Sequence, residues 1–91
     1  MLEVVLSNRF KKDLKLAARR GLPLDELNTV VDWLAAGQAL PDRNRDHALT
    51  GDYIGFRECH IRPDWVLIYE VREVELVLLL VETGSHSDLR M

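Results

Sequence analysis

Apolar and polar positions change their period about halfway along the chain. Leu2–Leu6 is a short run with β-branched residues and predicts an opening strand. Ser7 or Asn8 can then cap a helix. Phe10, Leu14, Ala17 and Ala18 recur at helical spacing and form one apolar stripe. Gly21 suits the left-handed position just past a helix end. Pro23 opens a second helix. Leu27, Val30, Val31 and Leu34 supply its apolar face and Gly37 stops it. Trp33, near its end, reads as packing. So short a connection makes the two helices an antiparallel hairpin.

Residues 38–55 are irregular, with Pro41, Gly51 and Gly55 among many polar side chains, and leave room for a short strand around Ala48–Leu49. From there the pattern is β: Phe56–Ile61, Trp65–Val71 and Val74–Thr83. Pro63–Asp64 and Arg72–Glu73 mark tight turns between them. Residues 84–91 read as a polar tail. The order β-α-α-β-β-β predicts an α+β domain over residues 1–91. The helical hairpin would cover one face of a mostly antiparallel sheet of four or five strands and leave the other face free for chemistry.

Composition changes this picture little. With 91 residues, 47% of them hydrophobic and 30% charged, the chain suits one folded core rather than disorder. A single cysteine, Cys59, allows no internal disulfide and reads as a small buried hydrophobe. Leu2–Leu6 is too short for a secretory leader or a membrane span, so the expected place is the cytoplasm, with no membrane partner.

Charge changes it more. The net charge of −3 argues against nucleic-acid binding, yet the distribution is uneven. Residues 1–20 carry six basic side chains, Lys12 and Lys15 among them, against two acidic ones, while the remainder is acidic. Such a stretch can face phosphate locally, or be an ordinary solvated helix face.

The chemistry-bearing residues fall in the β half. His47, His60 and His86 lie on three different elements, and period-2 alternation puts His60 on one strand face with Phe56 and Glu58. A metal-free ribonuclease needs a base for the ribose 2′-hydroxyl, an acid for the leaving 5′-oxygen and cations for the phosphorane. Histidine, titrating near neutrality, suits the first two roles. Arg57 and Arg62 can meet phosphate. Trp65 offers a stacking face for an unpaired base, although a tryptophan at a strand start is more often core. A zinc site built from the three histidines is chemically open, but no ligand pair has the close spacing of structural zinc sites, and no metal or other cofactor is expected.

Three blocks carry a family resemblance. Arg45-Asp-His47-Ala-Leu-Thr-Gly51 resembles the R/K-D-H-x-L-x-G stretch of YafQ-type toxins in the RelE superfamily. The block from Gly55 through His60, Asp64 and Trp65 to Tyr69 is similar to their G-Y-R-[DE]-x-H-[IV]-x-P-D-W-x-L-I-Y. Thr83-Gly-Ser-His86-Ser-Asp-Leu89 is similar to T-G-[ST]-H-[SA]-x-L. The resemblance implies a RelE-like fold and the toxin of a type II toxin–antitoxin system. It also implies ribosome-dependent cleavage of translated mRNA, without metal, to a 2′,3′-cyclic phosphate and a 5′-hydroxyl. By position it makes His86 the general acid and His60 and Asp64 the base side, with His47 placing the phosphate or sharing in proton transfer. Trp65 lines the site, and Arg57, Arg90, Lys12 and Lys15 meet RNA. The implied partners are the ribosome, mRNA and a cognate antitoxin of ribbon-helix-helix type. Two positions depart from the pattern: Glu82 stands where members carry arginine, and Arg90 where they carry an aromatic ring. Both favour the alternative of a catalytically weak module that binds ribosome or antitoxin.

Overall fold

The computed structural model describes residues 1–89, so Arg90 lies outside the described residues. The chain runs through β1 (Glu3–Leu6), α1 (Asn8–Arg19), α2 (Leu24–Ala35), β2 (His47–Ala48), β3 (Arg57–Arg62), β4 (Trp65–Arg72), β5 (Val77–Gly84) and α3 (His86–Leu89). Short 3-10 turns, Asp42–Asn44 and Gly51–Tyr53, flank β2. The class is α+β, as the pattern predicts.

Local chemistry sets the helix ends. The Ser7 hydroxyl accepts the Phe10 N–H at 2.9 Å and donates to the Val81 carbonyl at 2.6 Å, so one side chain caps α1 and ties it to the sheet. Gly21, at φ 74°, ends α1. Its N–H and that of Leu22 return to the Ala18 and Ala17 carbonyls at 3.0 and 3.1 Å, satisfying acceptors that helical bonding leaves open. The apolar stripes of both helices, including Phe10, Ala17, Leu27, Val30 and Leu34, then pack on Cys59, Trp65, Leu67, Tyr69, Leu78 and Leu80 of the sheet.

The sheet order is β1-β5-β4-β3-β2. β1 joins parallel to β5, and every other pairing is antiparallel. β4 is buried on both faces: Trp65, Leu67 and Tyr69 belong to the helix-side core, Val66 and Ile68 to a second cluster. That is why residues 65–69 read as a continuous apolar run rather than an alternation.

Four expectations need correction. The face away from the helices is not free: Val66, Ile68 and Leu89 form a small core there with Leu49, Tyr53, Phe56 and Val81. The polar tail is a turn of helix, α3, pinned by Leu89, because one apolar side chain among polar ones suffices to anchor it. The last strand starts at Val77, not Val74. Val74 and Leu76 are exposed and Leu76 takes a left-handed φ of 57°, so they belong to the hairpin turn. Trp33 is 39% exposed and lines a cavity of about 290 Å³ instead of packing inside.

Candidate active site

The second face is where the histidines meet. Period-2 alternation along β3 turns Cys59 into the helix-side core and leaves Glu58 and His60 on the opposite face, paired in register with Ile68 and Val66. β2 lies antiparallel to β3 and sets His47 opposite Glu58. α3 brings His86 from beyond the end of β5. The Nε2 atoms of His60, His86 and His47 lie 3.4, 3.6 and 3.7 Å from the same Oε1 of Glu58. The His60 and His86 rings stand 5.3 Å apart between centroids.

Glu58 is the residue that motif reading missed. Its carboxylate is buried, and Oε2 has no hydrogen-bond partner among the described residues. A buried anion without hydrogen bonds is costly unless cations or protons come to it. Here three imidazoles ring it. His47 Nδ1 sits 2.6 Å from the Arg45 carbonyl and His60 Nδ1 sits 3.3 Å from the Pro63 carbonyl. Each carbonyl can only accept, so each Nδ1 carries the hydrogen and each Nε2 is left toward Glu58 and the opening. His60 is nearly buried, whereas His47 and His86 are about half exposed and accessible to a ligand. The signal that could have found Glu58 is the alternation that already placed it beside His60.

α3 is held by its own polar lock. Asp88 Oδ2 accepts the Ser85 N–H at 3.0 Å, and the Ser85 hydroxyl accepts the Asp88 N–H at 3.1 Å. Arg20 from the end of α1 grips the same carboxylate at 2.6 and 3.3 Å. The Arg20 hydrogen bond, helped by the Ser85 N–H, holds the Asp88 carboxyl down to about 2. A Cβ on Gly84 would come within 3.1 Å of Asp88, so glycine permits this close turn.

The other expected residues divide. Asp64 lies exposed in the β3–β4 turn and, among the described residues, forms no ion pair with a histidine; the expected His60–Asp64 pair is replaced by His60–Glu58. The tight turn at Pro63–Asp64 explains this, since it reverses the chain before Asp64 can rejoin the face of His60. Trp65 is 2% exposed in the helix-side core and donates from Nε1 to Thr83 Oγ1 at 2.9 Å, so its face is closed to a base. Arg57 pairs in register with Tyr69 on the helix side of the sheet, away from the histidines. It donates from Nε to Asp46 Oδ1 at 3.3 Å, and its hydrogen bonds to Tyr69 and Asp46 raise its pKa. Arg62 is clasped by Glu26 at 2.7 and 2.9 Å. Lys12 and Lys15 are exposed on α1. Cys59 is fully buried, and desolvation pushes its thiol up to about 12, as suits an inert core residue. Glu82 lies 3.9 Å from Arg9 Nη1 and 3.5 Å from the Tyr53 hydroxyl.

Which residues can hold a metal is answered by the same cluster. Ligand atoms of Glu58, His60 and His86 all lie within 4.8 Å of one another. The set is therefore two histidines and the carboxylate, not the three histidines alone.

The fold has known counterparts. Residues 2–91 match the family model for the bacterial toxin YafQ of type II toxin–antitoxin systems. The chain belongs to the YafQ toxin family. The Escherichia coli K12 mRNA interferase toxin YafQ is 33% identical over 88 residues, covering 96% of this chain and 94% of that one. A metal-bound toxin from Helicobacter pylori superposes with a TM-score of 0.93 at 44% identity, covering 98% of this chain and 99% of that one. The YafQ chain in the Escherichia coli DinJ–YafQ complex superposes with a TM-score of 0.89 at 32% identity, covering 98% of each. Among the described residues no helix is long and apolar enough to cross a membrane.

Proposed function

We propose that this chain is the toxin of a type II toxin–antitoxin pair and an endoribonuclease that cuts translated mRNA on the ribosome. The observation that carries the reading is the convergence of three Nε2 atoms on one buried carboxylate oxygen, at 3.4 to 3.7 Å, with His47 and His86 about half exposed. Ribonucleolysis by proton transfer needs a base, an acid and a ligand for the phosphate within one nucleotide's reach. In this reading His60, oriented through Nδ1 by the Pro63 carbonyl, takes the proton from the ribose 2′-hydroxyl on Nε2, and the adjacent Glu58 carboxylate stabilises the imidazolium that forms. The 2′-oxygen attacks phosphorus, and the bond to the 5′-oxygen breaks. His86 gives its proton to that leaving oxygen, while His47 hydrogen-bonds a non-bridging oxygen. The products are a 2′,3′-cyclic phosphate and a 5′-hydroxyl. Asp64 and Trp65 have no part in the proton transfers.

The exposed Lys12 and Lys15 of α1 face ribosomal RNA in this reading. The other partners are the mRNA and a cognate antitoxin of ribbon-helix-helix type, and the place of action is the cytoplasm, where translation occurs. The test is inducible expression in a bacterium with growth followed and transcript 5′ ends mapped. The parent should stop growth and create new ends within translated messages, and His86→Ala should lower cleavage by roughly 10²–10⁴. Normal growth without new ends, or a His86→Ala chain as active as the parent, would refute the assignment.

A specific observation favours a second reading of the same groups. Two imidazoles and the Glu58 carboxylate within 4.8 Å are a donor set suited to zinc, copper or nickel, and that carboxylate keeps Oε2 without a hydrogen-bond partner among the described residues. A similar Helicobacter pylori toxin is described as metal-bound. A bound ion would occupy the nitrogens that proton transfer requires, so metal and cleavage compete. Stoichiometric zinc that inhibits, with recovery on chelation, supports this; activity lost on chelation refutes it.

A further inference from the structure

A cavity of about 500 Å³ opens beside His60, lined by Arg43, Asn44, Arg45, His60, Ile61, Arg62 and Pro63. His60 lines it and also belongs to the acid–base cluster, so the cavity adjoins the reacting groups. We propose that Arg43 and Arg45 make this cavity a phosphate subsite, which holds an RNA strand by a backbone phosphate next to the scissile one. The proposal rests on the ribonuclease reading and specifies how that site takes its substrate.

Charge is the first argument. The chain is acidic overall, at −3, and Arg9, Arg20, Arg57, Arg62 and Arg72 are each paired to a carboxylate. Arg43 and Arg45 are exposed and, among the described residues, neither joins an ion pair. Two guanidinium groups two residues apart, neither paired with the adjacent Asp42 or Asp46 among the described residues, on an acidic chain are suited to a diester phosphate.

Rigidity is the second. The 3-10 turn Asp42–Asn44 is locked in place: buried Asn44 donates from Nδ2 to the His60 carbonyl at 2.7 Å, and the Arg45 N–H returns to the Asp42 carbonyl at 3.0 Å. Arg45 itself is left-handed, at φ 49° and ψ 42°. A non-glycine residue there is uncommon and is kept only where the surroundings hold it. Its carbonyl is the acceptor for His47 Nδ1 at 2.6 Å. One short turn therefore holds the backbone of Arg43 and Arg45, the backbone of His60 and the ring of His47 as a unit. A phosphate seated on the arginines would set the register of the strand against the imidazoles.

The probe is a 2′-O-methyl tetraribonucleotide, which lacks the attacking hydroxyl, titrated into the full chain at low salt and followed by NMR shifts. Arg43→Gln and Arg45→Gln should each weaken binding about tenfold and lower the salt slope by roughly 0.7. Arg45→Lys, which keeps the charge, should retain the slope. Replacing linkages one at a time with uncharged methylphosphonate should reveal one position at which the arginine variants and the parent become alike. No ribosome is present, so these phosphates belong to the substrate strand. Parent-like binding by both glutamine variants, or a loss that no methylphosphonate relieves, overturns the subsite even if the parent cleaves messages. Arginine-dependent binding by a parent that cleaves none would keep the subsite and overturn the ribonuclease reading.

Discussion

Replacing Asp88 with alanine tests how the site is assembled, because α3 carries His86 and this carboxylate supplies its polar lock beside the Leu89 anchor. Folding lowers the Asp88 carboxyl from an ordinary 3.8 to about 2, first through the Arg20 hydrogen bond and then through the Ser85 N–H. At roughly 1.4 kcal/mol per pH unit, that difference is about 2.5 kcal/mol at most. Arg20 is half exposed, so screening by water reduces the ion-pair share to about 1 kcal/mol. Loss of a side-chain cap costs about 0.5–2 kcal/mol. Asp88→Ala should therefore lose about 1–2 kcal/mol in urea unfolding at neutral pH. It should also loosen α3, so that His86 no longer stays 3.6 Å from Glu58 and cleavage falls. The pH dependence has a fixed sign. A group whose pKa is depressed by folding stabilises fully above its unfolded value and loses that contribution as pH falls through its folded value. The gap between parent and variant should be widest above about pH 4 and shrink toward pH 2. No gap at neutral pH, or a gap unchanged across the acid range, would show that Asp88 does not hold the helix; parent-like cleavage would show that His86 does not depend on it.

Two more outcomes follow from burial. Glu58→Met removes a buried carboxylate whose Oε2 lacks a partner, so the variant should be as stable as the parent or more so, by up to about 1–3 kcal/mol, while cleavage collapses; a clear loss of stability would mean that the imidazoles already compensate the charge. Cys59, fully buried and raised to about 12, should resist a thiol reagent at mildly alkaline pH in the native chain and react fully in concentrated guanidinium; fast labelling of the folded protein would contradict its place in the core.

Much of this architecture is legible in the sequence because it depends on short-range patterns. The stripe of Phe10, Leu14 and Ala17, the glycines at 21 and 37 and the turn at Pro63–Asp64 each specify a local event, and the structure has each of them, while Ala18, expected in the same stripe, is exposed. The histidines on one face also follow from local facts, once β2 and β3 pair. What escaped depends on tertiary contacts. A single Leu89 cannot predict a helix, but it makes one when Val66 and Ile68 offer it a surface. Asp64 sits beside His60 in a linear motif, yet the hairpin turn separates them, while Glu58, two residues away on the same face, takes the contact. Trp65 belongs to a block that marks the site, but its ring lies on the other side of the strand, because adjacent residues face oppositely.

Glu82 shows why a departure from a family pattern must be judged in space. Read along the chain, a carboxylate in place of arginine, close before His86, adds an anion near the scissile phosphate. In the fold its register partner is Ile68, and its carboxylate meets Arg9 of α1 and the Tyr53 hydroxyl rather than a histidine. Arg9 also binds Asp13 at 3.0 Å, and Asp13 in turn accepts the Thr83 backbone N–H at 3.1 Å. The carboxylate thus belongs to a network that fastens α1 to the end of β5, and its charge is shared with a cation from another element. The Tyr53 hydroxyl is held above its ordinary pKa, by burial first and by Glu82 next, so it stays protonated and able to donate. An anion held beside a cation from another element repels an incoming phosphate less than its place in the sequence implies, and Arg43, outside every motif block, adds a cation beside His60.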